Sequence, residues 1–251
     1  MKISSEILLS VQALEKSYRE LKAVDNLNFQ VSEGEIFGLL GPNGAGKSTT
    51  IECILGTRKA DKGEVTLLGQ STTKKRKSLF ENVGVQFQDS HYPELIKVGE
   101  LCRMTAVLYK ESVNYKDLLK QFSLEDMAKK RVSELSGGEK QKLSVVLALI
   151  NNPKIVFLDE LTTGLDPKSR RDVWSYLNLL KQKGMTIFLT SHYMDEVRYL
   201  CDRIMIIEKG KEVISGTPDY VIEQSGEETM EDAYLYFIGE EAKNEMLVHT
   251  V

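Results

Sequence analysis

The sequence predicts an α/β fold, and three observations carry that prediction. Short, largely apolar runs (Ile36 to Leu40, Ile155 to Leu158, Thr186 to Thr190, Ile204 to Ile207) have the length and content of buried strands. Helical stretches, Lys168 to Lys183 and Met194 to Cys201, alternate with the later runs, as parallel strands joined by crossover helices require. Between the first run and the others lies a region of amphipathic, helical character.

The elements follow in order. Ile7 to Val31 has short apolar runs with turn residues between them and reads as strands. Ser32-Glu33-Gly34-Glu35 is a turn leading into Ile36 to Leu40. Gly41 to Gly46 is a loop, Lys47-Ser48 opens a helix running to about Leu55, and Gly63 to Leu68 is a further strand. In the middle, Val98, Leu101, Cys102, Thr105, Leu108 and Tyr109 share one helical face. Leu118, Leu119 and Phe122 predict a second helix, and Ser123 followed by Asp126 predicts the N-cap of a third. An inserted helical subdomain is expected from about Asp89 to Asn152, and a short acidic helical tail over 223–251.

Composition narrows the function classes. With 251 residues, 41% hydrophobic and 28% charged, the chain suits a globular protein of one large or two small domains. A net charge of −4 argues against a general nucleic-acid binder, and Lys74-Lys75-Arg76-Lys77 reads as a solvated basic run. Cys53, Cys102 and Cys201 are far apart and lack metal-ligand spacing, which fits a reducing compartment. No apolar stretch approaches the roughly 20 residues of a membrane span, and the first residues show no secretion signal.

Gly41-Pro42-Asn43-Gly44-Ala45-Gly46-Lys47-Ser48 matches G-x-x-x-x-G-K-[ST] in full. Glycines let the backbone curl so that successive N–H groups face phosphate oxygens, and the following helix adds its positive end. Lys47 would reach the terminal phosphates, and the Ser48 hydroxyl would ligate Mg²⁺, with Thr49 beside it. Ile155-Val156-Phe157-Leu158 ends in Asp159-Glu160, at the strand end where ligands sit in open α/β sheets. Asp159 can hold Mg²⁺ through water, and Glu160 can polarise the attacking water.

Leu135-Ser136-Gly137-Gly138-Glu139-Lys140-Gln141, just before the acidic strand, resembles the LSGGQ signature of ATP-binding cassette (ABC) proteins. The resemblance extends from about Leu8 to Ile222. It implies a P-loop NTPase core with a mixed sheet, an antiparallel β subdomain and an inserted α-helical subdomain. It further implies that Tyr18 stacks on adenine, although a strand aromatic packing on the core would look the same in sequence. Gln88 matches the Q-loop glutamine, a metal and water sensor, with Gln86 a nearby competitor. Gly164-Leu165-Asp166 resembles the D-loop at the dimer interface, and His192 the switch histidine that touches the terminal phosphate. Ser136, Gly137 and Gly138 would serve the ATP held by a second copy, or by a related cassette. His91 and His249 carry no such context.

The resemblance thus implies Mg²⁺-dependent ATP hydrolysis, an integral membrane permease as partner, no nucleic acid, and a cytoplasmic location at the inner face of the membrane. Phe37-Gly38-Leu39-Leu40-Gly41-Pro42, Ser191 to Glu196, and Thr229-Met230-Glu231-Asp232-Ala233-Tyr234-Leu235 are similar to the exporter branch with separate six-helix permeases. Import, or a non-transport cassette acting on nucleic acid or the ribosome, is the alternative. The segment Asp89-Ser90-His91-Tyr92-Pro93-Glu94 and the helix after Val98 are the expected permease contacts, with Tyr92, Leu95 and Ile96 as apolar anchors. Three positions depart from the family: Glu139 for glutamine, Leu161 for the proline after the catalytic glutamate, and Lys142 for arginine. Leu161 is expected to loosen the loop after Glu160, because proline fixes φ and leucine does not.

Overall fold

The computed structural model describes residues 6–72, 76–87, 92–93, 95–162 and 164–248, with residues 240–248 given by backbone alone. The elements begin with β1 (Ile7–Tyr18), β2 (Leu21–Ser32), β3 (Ile36–Leu40), α1 (Lys47–Ile54), β4 (Lys62–Leu67) and β5 (Gln70–Ser71). Then come α2 (Arg76–Phe80), β6 (Val83–Gln86), α3 (Val98–Ala106), α4 (Tyr115–Gln121) and α5 (Gly137–Leu149). The chain continues through β7 (Ile155–Asp159), α6 (Pro167–Gln182), β8 (Thr186–Thr190), α7 (Met194–Leu200), β9 (Arg203–Glu208) and β10 (Lys211–Gly216). It closes with α8 (Pro218–Ser225) and α9 (Met230–Val248). The α/β class expected from sequence is the one observed. The chain divides into two compact units, Met1–Arg76 with Thr190–Val251, and Lys77–Leu189.

In the first unit, β2, β1, β4 and β5 form an antiparallel sheet in that order. Leu27, Phe29 and Val31 are buried while Asn28 and Gln30 between them are exposed, the period of a strand with one wet face. The β1–β2 register shifts between Val11 and Leu14, where Ala13 takes φ 47°. Asn28 Oδ1 accepts the Ala13 N–H at 2.8 Å, so the bulge leaves that donor paired. A second group of strands in this unit has β9 between β10, antiparallel, and β3, parallel. All five residues of β3 are buried. Phe29 and Phe37 stack with centroids 5.3 Å apart. Asp202 pins the start of β3: its Oδ2 accepts the Ile36 N–H at 2.9 Å and its own N–H donates to the Ile36 carbonyl at 2.9 Å.

Helix α8 carries ordinary start and stop signals. Thr217 Oγ1 accepts the Tyr220 N–H at 3.1 Å, Pro218 opens the first turn, and Gly226 closes it at φ 74°. The tail boundary expected at 222 therefore falls inside a helix. Within α9, Gly239 has φ 72° and ψ 179°, which breaks the rod there.

In the second unit β6 and β7 pair in parallel from Val83↔Ile155 to Gln86↔Leu158, with β8 on the other side of β7. Helix α5 lies so close to β6 that a Cβ at Gly84 would sit 2.1 Å from the Ala148 carbonyl oxygen. Asn151 Nδ2 lies within hydrogen-bond reach of the Phe80, Glu81 and Val83 carbonyls, at 3.2, 3.3 and 3.0 Å. Two expectations fail here. Leu108 is not on the buried face of α3: the helix ends at Ala106, the chain tightens into a turn (Leu108 N–H to the Thr105 carbonyl, 3.1 Å), and Leu108 is 75% exposed. Ser123 is not an N-cap either. It takes φ 56° just after α4, and the next turn, Glu125–Met127, starts from Leu124 without a side-chain cap.

Among the described residues no helix is long and apolar enough to cross a membrane. The three cysteines are buried and form no disulfide with one another, and burial pushes the Cys102 thiol up to about 12.

Replacing Gly84 by Ala forces α5 off β6. Overpacking of this kind costs about 1–3 kcal/mol, so urea denaturation is expected to show a lower midpoint at unchanged slope.

Candidate functional site

The residues singled out from sequence fall on both units, and each half has its own construction. In the first unit the loop from Gly41 to Gly46 leaves buried β3 and enters α1. A Cβ at Gly41 would lie 2.3 Å from the Ile207 carbonyl oxygen and 2.9 Å from the Ala45 Cβ. At Gly46, with φ 107°, it would lie 2.1 Å from the Ala23 carbonyl oxygen. Only glycine fits either place. Asn43 and Gly44 are exposed at the loop's tip, and the Ala45 N–H donates to Pro42 at 3.1 Å. Lys47 is buried and curls back, with Nζ donating to the Gly41 and Pro42 carbonyls at 2.7 and 3.1 Å. Ser48 is exposed and Thr49 half-buried in the first turn of α1.

Tyr18 ends β1 opposite Leu21 and is 37% exposed. The Arg58 guanidinium lies 5.1 Å and the Lys16 ammonium 5.7 Å from its centroid. Each cation has an acidic partner, Glu52 for Arg58 at 2.5 Å and Asp61 for Lys16 at 2.8 Å. A half-exposed ring flanked by cations, not a ring sunk in the core, is thus what Tyr18 presents. His192, also in this unit, is half-buried between Ser191 and Tyr193.

In the second unit all five residues of β7 are buried, and Asp159 is the last of them. Glu160 follows at φ 52° in the left-handed region, and Gln141 Nε2 donates to its carbonyl at 3.4 Å. Leu161, Thr162 and Leu165 are all buried. Leu161, where the family carries proline, is thus seated in the interior. Asp166 is the N-cap of α6: one carboxylate oxygen accepts the Lys168 and Ser169 N–H groups at 3.0 Å each, and Pro167 stands at the first helical position.

Ser136 caps α5 through a reciprocal box. Its Oγ accepts the Glu139 N–H at 3.2 Å, and Glu139 Oε2 accepts the Ser136 N–H at 2.8 Å. The acid at 139 can thus do for the helix start what a glutamine would. Gly137 has nothing within 4 Å of a Cβ position, so its own fold does not demand glycine there, whereas Gly138 faces Leu165 at 3.3 Å. Gln88 lies outside the described residues, as do Asp89, Ser90, His91 and Glu94 of the expected docking segment, and His249. Two contacts escaped the sequence: the Gln141 bond to Glu160 and a side-chain bond between Ser191 and Glu196. The serine and glutamate stand five apart, so the spacing of a standard capping box would not reveal them.

A model of the family described as ABC transporter matches residues 24–163, more than half of the chain. The chain belongs to the ABC transporter family. Among curated relatives, this cassette is 38% identical over 227 residues to the Nod factor export ATP-binding protein I of Rhizobium sp. (strain N33), covering 88% of this chain and 74% of that one. It is 40% identical over 224 residues to the protein of the same name from Paraburkholderia xenovorans (strain LB400), covering 86% and 73%. Among solved structures, an ATP-binding subunit of an ABC transporter matches with a TM-score of 0.85 at 28% identity, over 92% of this cassette and 100% of that chain. A dimeric cassette in a post-hydrolysis state bound to ADP and Pi matches at 0.76 and 25% identity, over 83% and 98%.

The Ser136 N–H holds the Glu139 carboxyl below its ordinary value of 4.5. A depressed carboxyl contributes stability that is present above its unfolded value and lost as pH falls through the native one. Glu139→Gln is therefore expected to lose less stability than the parent between about pH 5 and about pH 3, read as urea midpoints at each pH.

Proposed function

We propose that this chain is the ATP-binding and ATP-hydrolysing subunit of an ABC transporter, driving export through a separate membrane permease. The observation that carries the reading is a loop that admits no side chain at Gly41 or Gly46, set at the start of α1 with a buried lysine beside it, in a chain of this family. Export rather than import is supported by the relatives, whose names describe export ATP-binding proteins.

The loop N–H groups and the first turn of α1 bind the phosphates, and Lys47 exchanges its bonds to Gly41 and Pro42 for phosphate oxygens. Tyr18 offers a ring for the adenine, steadied by Arg58 and Lys16. Ser48, Gln88 and Asp159 are oxygen donors of the hard kind that Mg²⁺ takes, and Asp159 is a buried carboxylate at a strand end. When bound, the ion would neutralise charge on the terminal phosphates. Glu160 orients and deprotonates the attacking water, and His192 contacts the terminal phosphate. Ser136, Gly137 and Gly138 meet the nucleotide of a second cassette, where open space over Gly137 allows close approach. Asp166 lies at that same interface. The simplest assembly is a homodimer with two competent sites, held at the inner face of the membrane by its permease.

Permease contact is read from exposed apolar side chains in the second unit. Leu95, Met104 and Val107 are 71%, 57% and 80% exposed, while Tyr92 and Ile96 are half-buried. Leu95→Ala with Val107→Ala is expected to weaken co-purification with the membrane subunit and leave ATP hydrolysis by the free cassette within about twofold.

Two variants test the chemistry together. Lys47→Ala is expected to abolish phosphate release. Glu160→Gln is expected to bind ATP but hold a long-lived dimer on size exclusion, because the base is lost and the clamp kept. Equal phosphate release by Lys47→Ala and parent would overturn the reading.

A further inference from the structure

Between Thr190 and the start of α7 stand only Ser191, His192 and Tyr193. The helix begins without an ordinary cap, since the N-cap position is Tyr193 and its side chain makes no capping bond. The hydroxyl of Ser191 serves instead. Its Oγ accepts the Tyr193 N–H at 3.0 Å and donates its proton to Glu196 Oε2 in the first turn of α7. Ser191 and Glu196 are each only 2% exposed. The bond closes a ring of chain from 191 to 196, and His192 lies inside it.

A carboxylate is costly to bury and is kept only where something needs it. The helix dipole of α7 does not require this one, for Asp195 already places an exposed acid in the first turn, where the dipole favours it. The buried acid adds closure of the loop. With Ser191 Oγ fixed on both sides, the peptide units before and after His192 cannot turn independently.

We propose that Glu196, acting through Ser191, is a positioning residue for His192, holding its backbone so that the imidazole meets the terminal phosphate in one orientation. The proposal rests on His192 being the residue that contacts that phosphate. Glu196 touches no nucleotide in this role. Its loss is felt in turnover and not in ATP binding, which the glycine loop and Tyr18 supply.

The test uses the full chain, with ATP turnover and affinity for a fluorescent ATP analogue measured on each variant. Glu196→Ala is expected to lower kcat by about tenfold or more and leave Kd within about twofold. Glu196→Gln, whose amide oxygen can accept the same hydroxyl, is expected to stay within about threefold of the parent. In a His192→Ala background, adding Glu196→Ala is expected to cost less than about twofold, because the two residues act as a unit. A folded Glu196→Ala with parental kcat, or effects that multiply independently of His192, overturns the proposal. Should Glu196→Ala not fold, Ser191→Ala and Glu196→Gln carry the same comparison: a slow alanine variant and a near-normal glutamine one support the latch, and equal rates overturn it. If His192→Ala itself turns over normally, the histidine reading falls and the latch with it. If His192→Ala is slow and Glu196→Ala is not, only the latch falls.

Discussion

The first unit depends on a register. Asp202 holds Ile36 by two hydrogen bonds, which sets β3 against β9 so that Leu40 lies opposite Ile206. One residue further on, the Ile207 carbonyl oxygen meets Gly41 where a Cβ would have been. Ala23 of β2 meets Gly46 in the same way. The loop from Gly41 to Gly46 is therefore shaped by carbonyls of two other segments, at Ala23 and Ile207, and its curvature follows from their spacing. A one-residue slip of β9 would move every side chain to the other face and take the Ile207 carbonyl with it.

In the second unit, two of the residues read as functional, Ser136 and Asp166, also begin helices. Ser136 and Glu139 cap α5, and Asp166 caps α6, the last through two N–H groups that would otherwise be unpaired. Hydrogen bonds from Ser169 hold the Asp166 carboxyl below its ordinary range. These oxygens accept from the backbone and remain near the surface, so capping does not withdraw them from a partner.

The local part of the site was legible in sequence because its chemistry is local. Gly41 to Ser48 and Leu135 to Glu139 each lie in one short segment whose spacing reports its backbone, and the apolar runs before Asp159 and Ser191 mark their strands. Helical periodicity worked for α4 and failed at the end of α3, because a period says nothing about where a helix stops: Leu108 fits the face by number but follows the turn. Ser123 has a cap's composition and a left-handed φ, a distinction one residue type cannot make. Lys211–Gly216 escaped notice as a strand because its exposed, polar side gives no apolar run. Contacts such as Asn151 with three carbonyls, or Gln141 with Glu160, join positions that no spacing rule links.

Glu160 stands at φ 52°, a conformation that side-chain-bearing residues adopt rarely and at a cost of order 1–3 kcal/mol. Proline's ring crowds the N–H and Cβ of the residue before it and drives that residue to extended backbone. Leu161, buried after Glu160, makes no such demand. Putting the family's usual proline at 161 would therefore not be a neutral reversion. It would expel Glu160 from its present backbone well, lift residue 161 from its buried seat, and swing the carbonyl now bonded by Gln141. The leucine and the turn at Glu160 are thus compatible with each other, whereas proline at 161 is compatible only with a different backbone at 160.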